Sequence, residues 1–333
     1  MAFFHLILLT ILYETLAHGN PCIETRGAFD IGSRRTKFQL AQVDICKGEI
    51  RKVLIDESTS VPYADDALHN DMKLSEKIQT TGIGAIRNYV NRSKPHRPKL
   101  FQGVATSIFR NAKNGPQYIE MIQQRFPIKV KVIDQNFEGQ LALRSAELLL
   151  SKKPDIVWDI GGGSMQVVYP SQKQLAKVSG CRCGSVEFHE YLLKKMGRTN
   201  QSINPIKQEN IEKARAFTQA FLKERGLDTK LPQLGQDVVG IGGVLGKGIP
   251  EQTNTHSQTI EIISKTLSNR INLSNAELGG KYAETAISNL LLVEQTMKAL
   301  KISKFRSLEA NLTGPLLVDS FNDKPVNRGP SPK

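Results

Sequence analysis

Residues 155–164 read DIVWDIGGGS, a short apolar run that ends in an acidic residue and a glycine loop. The run predicts a buried strand, and the apolar residues 167–169 predict a second strand that leaves the loop. The same pattern occurs earlier in the chain, where residues 28–33 read AFDIGS and alternating apolar residues follow at 36–43. The two halves of the chain therefore begin in the same way.

The two copies of this pattern are 129 positions apart, counted from Asp30 to Asp159. This period is too long for a stack of short repeats, and it is typical of a duplicated domain with a cleft between the copies. We expect an α/β protein in which residues 26–150 form the first domain and residues 151–320 the second. Residues 321–333 are polar and Pro-rich and predict a frayed tail.

A loop of glycine and serine between two strands can bind an anion, because no side chain blocks the backbone N–H groups. One such loop is more often a plain β-turn. Two loops, together with a third glycine turn at residues 240–243, favour a phosphate site instead. The residues that this argument assigns to substrate binding are Gly32, Ser33, Gly161, Gly162, Gly163, Ser164, Gly242 and Gly243.

Asp30 and Asp159 each end the strand that precedes a loop. A carboxylate at this position is placed to hold Mg²⁺, directly or through water, and the ion would neutralise phosphate oxygens. We therefore predict both as ligands of Mg²⁺ or another divalent cation.

The rest of the chain has mixed periodicity. The first half predicts further strands at 49–55, 100–104 and 129–133 and helices at 74–90, 107–112, 116–124 and 137–151. The second half predicts helices at 210–225, 254–267 and 284–300, and a strand at 237–241 that leads into the third glycine turn.

The first nineteen residues resemble a signal peptide. Residues 3–13 are almost wholly apolar, and small residues follow at Thr15, Ala17 and Gly19. This pattern predicts cleavage after Ala17 or Gly19 and a periplasmic or secreted protein. The segment before the apolar run contains no Lys or Arg, which leaves a retained anchor or a mis-assigned start as alternatives. No bilayer-length apolar run follows residue 20.

The chain is basic, with 45 Lys and Arg against 32 Asp and Glu and a net charge of +13. Such a charge attracts polyanions but does not distinguish nucleic acid, anionic lipid and polyphosphate. The four cysteines, Cys22, Cys46, Cys181 and Cys183, allow three disulfide pairings, and the sequence does not choose among them. Their spacing does not match a zinc site.

Four segments, taken together and in order, resemble the motifs of the exopolyphosphatase/guanosine-pentaphosphate phosphatase (Ppx/GppA) family in its short two-domain form. They are AFDIGS at 28–33, ATSIFRNAKNG at 105–115, DIGGGS at 159–164 and GIGG at 240–243. The resemblance implies two actin-like (ribonuclease H-like) domains and hydrolysis of a phosphoanhydride.

The resemblance also implies roles for particular residues. In the family, a Glu at the start of the helix before the second loop is the catalytic base, and Glu138 stands there. A carboxylate that orients and deprotonates a water molecule agrees with the chemistry of phosphoanhydride hydrolysis. Thr106 and Arg110, one helical turn apart, are expected to bind phosphate. Arg34 adds a cation next to the first loop.

Four positions depart from the family pattern. Gln166 stands where the second motif usually has Glu, and Phe137 replaces the usual acidic residue before Glu138. Arg34 and Arg35 replace the usual polar pair after the first loop. The cations there, with Lys37, either contact a polyphosphate or face solvent.

We therefore expect an enzyme that removes terminal phosphate from inorganic polyphosphate or a related polyphosphorylated substrate. The alternatives are a nucleotide phosphatase acting on pppGpp or nucleoside triphosphates, and a binding protein that keeps the cleft but has lost catalysis. We expect no nucleic-acid partner and no stable membrane association after signal cleavage. The sequence leaves the oligomeric state open, with a homodimer as one candidate.

Overall fold

The structure is a computed structural model that describes residues 21–169, 176–199, 202–230, 237–280 and 282–319. The predicted signal peptide, residues 1–19, and the predicted tail, residues 321–333, lie outside the described residues. Two sheets organise the described part of the chain.

The first sheet has five strands in the order β3-β2-β1-β4-β5. The antiparallel part, β1 to β3, is a meander, and β4 and β5 run parallel to β1. The strands are β1 (Ile23–Ile31), β2 (Arg35–Asp44), β3 (Glu49–Ser60), β4 (Leu100–Ala105) and β5 (Lys129–Val132). These strands confirm the pattern expected for the first half.

Five helices accompany this sheet. They are α1 (Tyr63–Leu68), α2 (Glu76–Ser93), α3 (Ser107–Asn111), α4 (Gly115–Arg125) and α5 (Gln135–Leu149), with a 3₁₀ turn at Lys94–His96. The longest, α2, begins where the Ser75 hydroxyl accepts a hydrogen bond from Ile78 N at 3.3 Å, which satisfies one of the free N–H groups of the first turn. Its apolar face packs on an aromatic core that includes Phe29 and Phe38.

The second sheet repeats this order and adds one strand, giving β10-β11-β9-β6-β7-β8. Its strands are β6 (Ile156–Ile160), β7 (Met165–Tyr169), β8 (Lys177–Cys181), β9 (Val238–Ile241), β10 (Ser257–Thr259) and β11 (Lys304–Ser307). The meander β6-β7-β8 corresponds to β1-β2-β3, and β9 and β11 correspond to β4 and β5. The register repeats as well, because Asp30 pairs with Lys37 and Asp159 pairs with Gln166.

The helices of the second half are α6 (Ser185–Lys195), α7 (Ile211–Glu224), α8 (Ile249–Thr253), α9 (Ile260–Arg270), α10 (Asn275–Leu278), α11 (Ala286–Leu300) and α12 (Thr313–Val318). A π-helix spans Gly243–Gly248, and 3₁₀ turns lie at Gln208–Asn210 and Ala283–Thr285. The helix predicted over 254–267 is wrong at its start. Residues 257–259 instead pair with β11 as a strand, and helix α9 begins at Ile260, after the Thr259 hydroxyl caps it.

The last helix of each half lies against the sheet of the other half. Helix α5 packs on β6, β7 and β8, whereas α12 packs on β1 and β2. Hydrogen bonds fasten α12 to the first sheet, since Arg26 Nη1 donates to Leu317 O at 3.3 Å and Gln102 Nε2 donates to Asp319 O at 2.7 Å. A shared apolar cluster fills the junction of the two halves. Helices α5 and α12 thus each belong to one half in sequence and contact the sheet of the other half. The domain boundary at residue 150 stays a prediction.

No helix in the described ranges has the length and apolar character needed to cross a bilayer.

Candidate active site

The two predicted loops have the same turn geometry and face each other. Gly32 N donates to Arg35 O, and Gly161 N donates to Ser164 O, each at 2.9 Å. The contact between the loops is close, because a Cβ atom on Gly163 would lie 3.1 Å from Ser33 Oγ and 2.6 Å from Ser107 Oγ. A side chain at this position would collide with the opposite half, which explains the glycine.

The third glycine turn closes the cleft behind Asp159. Gly242 has a φ of +80°, and a Cβ atom there would collide with Asp159 Oδ1. Both features require glycine. The turn leads from β9 into the π-helix Gly243–Gly248.

One cleft collects nearly all of the predicted site residues. Those that line it are Asp30, Gly32, Ser33, Arg34, Thr106, Glu138, Asp159, Gly161, Gly162, Gly163, Ser164, Gly242 and Gly243. The cleft is also lined by residues that the sequence did not single out, including Ser107, Ser185, Tyr282, Thr285, Asn289 and Asn311. These residues come from α3, α6 and the segments around α11 and α12. Ser107 lies within the motif at 105–115, and no local motif marked the others.

Lys37 is a cation that contacts Asp30 and interacts electrostatically with Asp159. Its Nζ lies 2.9 Å from Asp30 Oδ2, and Asp30 is buried at the end of β1. Burial alone would lower the pKa of Lys37, but the carboxylates of Asp30 and Asp159 outweigh it and raise that pKa. Lys37 therefore stays charged between the two acids.

Two buried carboxyl groups in the cleft titrate near neutrality. Burial raises the pKa of Asp159 to about 7, with Lys37 opposing the shift and Asp30 adding to it. Burial likewise raises the pKa of Glu138 to about 7, and Arg110 opposes the shift. Glu138 lies in the first turn of α5, which Asp134 caps by accepting from Phe137 N at 2.7 Å.

The side chain of Arg110 lies against Glu138. Its Nη1 donates to Glu138 Oε2 at 2.8 Å and to Ile133 O at 2.6 Å, and it is not among the residues that line the cleft. Helix α3 ends at Asn111, and Arg110, in its last turn, reaches the end of β5 and the start of α5. In the structure Arg110 therefore contacts the carboxylate of Glu138, and its phosphate contact stays a prediction.

The two arginines after the first loop are engaged by protein groups. Arg34 lines the cleft and forms a two-point contact with Asp65 at 2.9 and 3.2 Å. Arg35 also lines the cleft and donates to Ser58. Neither arginine simply faces solvent, and their contact with a polyphosphate stays a prediction.

Gln166, which stands where the second family motif usually has Glu, has the clearest structural consequence among the departures from the family pattern. It is fully buried, and among the described residues neither its Nε2 nor its Oε1 has a hydrogen-bond partner. It sits beside Asp159 across the β6-β7 ladder, in the position that Lys37 holds beside Asp30. A buried amide without partners is costly, so this position is suited to an added polar ligand or water.

The carboxylates of Asp30 and Asp159 suit Mg²⁺, which prefers oxygen ligands and commonly takes one or two protein carboxylates together with phosphate oxygens and water. The raised pKa of Asp159 fits this donor set, because a nearby cation would favour its charged form. Elsewhere among the described ranges, three residues of metal-binding types lie close together, Cys22, Asp44 and Cys46. The two cysteines there form a disulfide, which leaves no thiolate for a metal.

The fold and the cleft together define a class of protein. Two sheets share one strand order, two Asp-Ile-Gly loops face each other, and a glycine turn closes the cleft. This is the architecture of a two-domain actin-like protein. A model of the Ppx/GppA phosphatase family matches residues 45–312. The match covers more than half of the chain, and the protein belongs to this family.

Comparison with individual proteins agrees with this assignment. The chain is 23% identical over 260 residues to the bifunctional 3-dehydroquinate synthase/phosphatase of Fusobacterium nucleatum, a match that covers 75% of this chain and 36% of that protein. The chain thus spans little more than a third of the length of this curated relative.

Solved structures show the same fold at low identity. A member of the Ppx/GppA family from Aquifex aeolicus superposes with a TM-score of 0.70 at 19% identity, over 89% of this chain and 97% of that one. An exopolyphosphatase from Cytophaga hutchinsonii superposes with a TM-score of 0.68 at 14% identity, over 88% and 96%. At these identities the likeness establishes the fold alone.

Proposed function

We propose that this protein hydrolyses the terminal phosphoanhydride bond of inorganic polyphosphate or of a related polyphosphorylated substrate. The observation that carries the proposal is the position of Glu138, a buried carboxylate with a pKa of about 7 that lines the same cleft as both glycine loops. A general base with a pKa near the working pH is the most effective one. The family and the fold support the same reaction.

Each group in the cleft has a task in this reaction. The N–H groups of the two glycine loops bind the terminal phosphates, and Lys37 and Arg34 take up part of their charge. Glu138 orients the attacking water and accepts its proton. Arg110 holds the carboxylate of Glu138 at 2.8 Å and so limits its rotation. The proton then leaves the cleft when Glu138 exchanges with solvent.

Asp30 and Asp159 would hold the divalent cation, for which Mg²⁺ is our proposal. When bound, the cation supplies charge neutralisation at the phosphate oxygens. The ion pair of Asp30 with Lys37 leaves the second oxygen of Asp30 for this role.

The decisive experiment measures phosphate release from long polyphosphate, pppGpp and ATP side by side, with and without Mg²⁺. We expect Mg²⁺-dependent release, fastest from polyphosphate. Fastest release from pppGpp or ATP would replace our proposal with a nucleotide phosphatase. Binding of polyphosphate without release, under every divalent cation tried, would identify a binding protein.

The binding-protein alternative has one observation in its favour. Gln166 supplies no charge at the position where the family motif has Glu, and it is buried beside Asp159. A weaker hold on the cation would leave the cleft able to bind phosphates and slow to hydrolyse them. The presence of Glu138, with a pKa of about 7, favours catalysis.

We also propose that the protein is exported. The apolar segment at residues 3–13 supports this, and so do the four cysteines, which form two disulfides, Cys22–Cys46 and Cys181–Cys183. Disulfides persist mainly outside the reducing cytosol. N-terminal sequencing of the mature protein tests the proposal. A chain that begins between His18 and Pro21 is expected, and an intact Met1 in a cytoplasmic fraction would refute it.

A further inference from the structure

Cys181, the last residue of β8, forms a disulfide with Cys183, with one residue between them. Both cysteines are buried, and the intervening Arg182 is exposed and pairs with Glu187 at 3.1 Å. Glycines flank the bridge at positions 180 and 184. Glycine loses more backbone freedom on ordering than any other residue, so this segment needs a constraint to stay in one conformation.

The residues that follow the bridge support the second glycine loop from behind. Ser185 N donates to Gly161 O at 2.9 Å, and Val186 N donates to Gly162 O at 2.8 Å. Gly184 lies so close that a Cβ atom there would collide with Gly162 O and Ser164 N. The position of the loop thus depends on the position of residues 184–186.

The other side of the bridge touches the helix that carries Glu138. Cys181 O accepts a hydrogen bond from Gln135 Nε2 at 3.0 Å. Gln135 is the first residue of α5 and lies one helical turn before Glu138. A single short segment therefore contacts both the phosphate loop and the base-bearing turn.

We propose that the Cys181–Cys183 disulfide is a positioning element of the active site, which sets the second glycine loop and the first turn of α5 relative to each other. The effect on turnover rests on the proposed function, whereas the effect on the loop does not. The bridge encloses one residue, and so short a loop restrains little of the unfolded chain. Its contribution lies in the local geometry more than in global stability.

The second disulfide provides a matched control. Cys22–Cys46 joins the start of β1 to the turn after β2, with a sequence separation of 24, and neither cysteine lines the cleft. Because it closes a longer loop, its removal should destabilise the fold more. Comparing the removal of each disulfide should therefore distinguish an effect on global stability from an effect on activity.

The test compares the double variants Cys181→Ala/Cys183→Ala and Cys22→Ala/Cys46→Ala. Hydrogen exchange followed by mass spectrometry reports on peptides covering residues 161–167 and 135–141, and melting temperature is measured in parallel. For Cys181→Ala/Cys183→Ala we expect faster exchange in both peptides and a fall in kcat of about tenfold or more, since small misplacements of reacting groups are costly. For Cys22→Ala/Cys46→Ala we expect the larger fall in melting temperature and unchanged exchange in both peptides.

Unchanged exchange in both peptides of Cys181→Ala/Cys183→Ala would overturn the proposal, whatever the activity. If this variant does not fold, the same exchange measurement is made on Cys22→Ala/Cys46→Ala before and after treatment with dithiothreitol, which reduces the remaining bridge to two thiols. Failure of the wild-type protein to release phosphate would refute the proposed function. The hydrogen-exchange measurement would still test whether the Cys181–Cys183 disulfide positions the loop and the first turn of α5.

Discussion

The guanidinium group of Arg110 lies 2.8 Å from the carboxylate of Glu138 and also donates to the carbonyl oxygen of Ile133 at 2.6 Å. The residue expected to bind phosphate thus contacts the residue expected to act as base. Its positive charge keeps the pKa of Glu138 lower than burial alone would set it, at about 7. Several measurable consequences depend on this pair.

The first concerns the base itself. Glu138→Gln keeps the size of the side chain and removes its basicity, so kcat should fall by about 10²–10⁴-fold. Substrate affinity should hold or rise, because a carboxylate near a polyanion is removed. The matched control is Glu147→Gln, on the same helix, where the side chain pairs with Lys153 away from the cleft. Turnover of Glu138→Gln equal to that of wild type would remove Glu138 from the mechanism.

The second concerns the pH profile. Glu138 must be deprotonated to act as a base, so kcat should rise as pH increases through about 7. Arg110→Ala removes the charge that lowers the pKa of Glu138. The rising limb of the plot of kcat against pH should therefore move to higher pH. Arg92→Ala, which breaks a surface pair with Glu57, is the control and should leave the limb in place. A limb that does not move in Arg110→Ala would contradict the proposed coupling.

The third concerns stability without divalent cations. The folded state raises the pKa of Glu138 from 4.5 to about 7 and therefore favours its protonated form. The resulting stabilisation of the folded state is complete below pH 4.5 and is lost as pH rises through about 7. Relative to Glu138→Gln, the melting temperature of wild type should decline over that interval. Parallel melting curves of the two proteins across this pH range would refute the burial of an ionisable Glu138.

The fourth concerns the paired acids. Asp30→Ala and Asp159→Ala should each reduce phosphate release by about 10²–10³-fold, the range for loss of an electrostatic group in an active site, while circular dichroism shows an intact fold. Asp56→Ala, an exposed acid on β3, serves as the control. Wild-type turnover in both variants would show that the reaction occurs elsewhere.

The fifth concerns Gln166. Gln166→Glu places a carboxylate in a buried position beside Asp159, which should destabilise the metal-free protein by about 1–3 kcal/mol. Mg²⁺ should restore the melting temperature if the added charge lies near the cation. The exposed Gln124→Glu on α4 should show neither effect. A loss of stability that Mg²⁺ does not reverse would place Gln166 outside the cation site.

Local pattern was sufficient for much of the fold. Strand β6 is a short apolar run, and both β1 and β6 end in Asp-Ile followed by glycine. This repeated ending identifies both the duplication and the loops that line the cleft. Glu138 was found because its segment matches a family motif. These features depend on neighbours in the chain, which a sequence displays directly.

Contacts between distant segments decided the remainder. No local pattern indicates that α5 and α12 each pack on the sheet of the other half, because an apolar helix face does not specify which sheet it will contact. The pattern over 254–267 predicts a helix, but residues 257–259 form strand β10, because three residues acquire strand geometry only by pairing with β11. The disulfide pairing was likewise open among three alternatives.

The chemistry of the site divides in the same way. The charged residues and the loops without bulky side chains can be read directly from the sequence. The burial of Glu138 and Asp159, the contact of Lys37 with Asp30 and the contact of Arg110 with Glu138 arise only when distant segments come together in the fold. The physical reason is that a pKa depends on desolvation and on charges within several ångströms, and those charges come from segments that the chain separates by many residues.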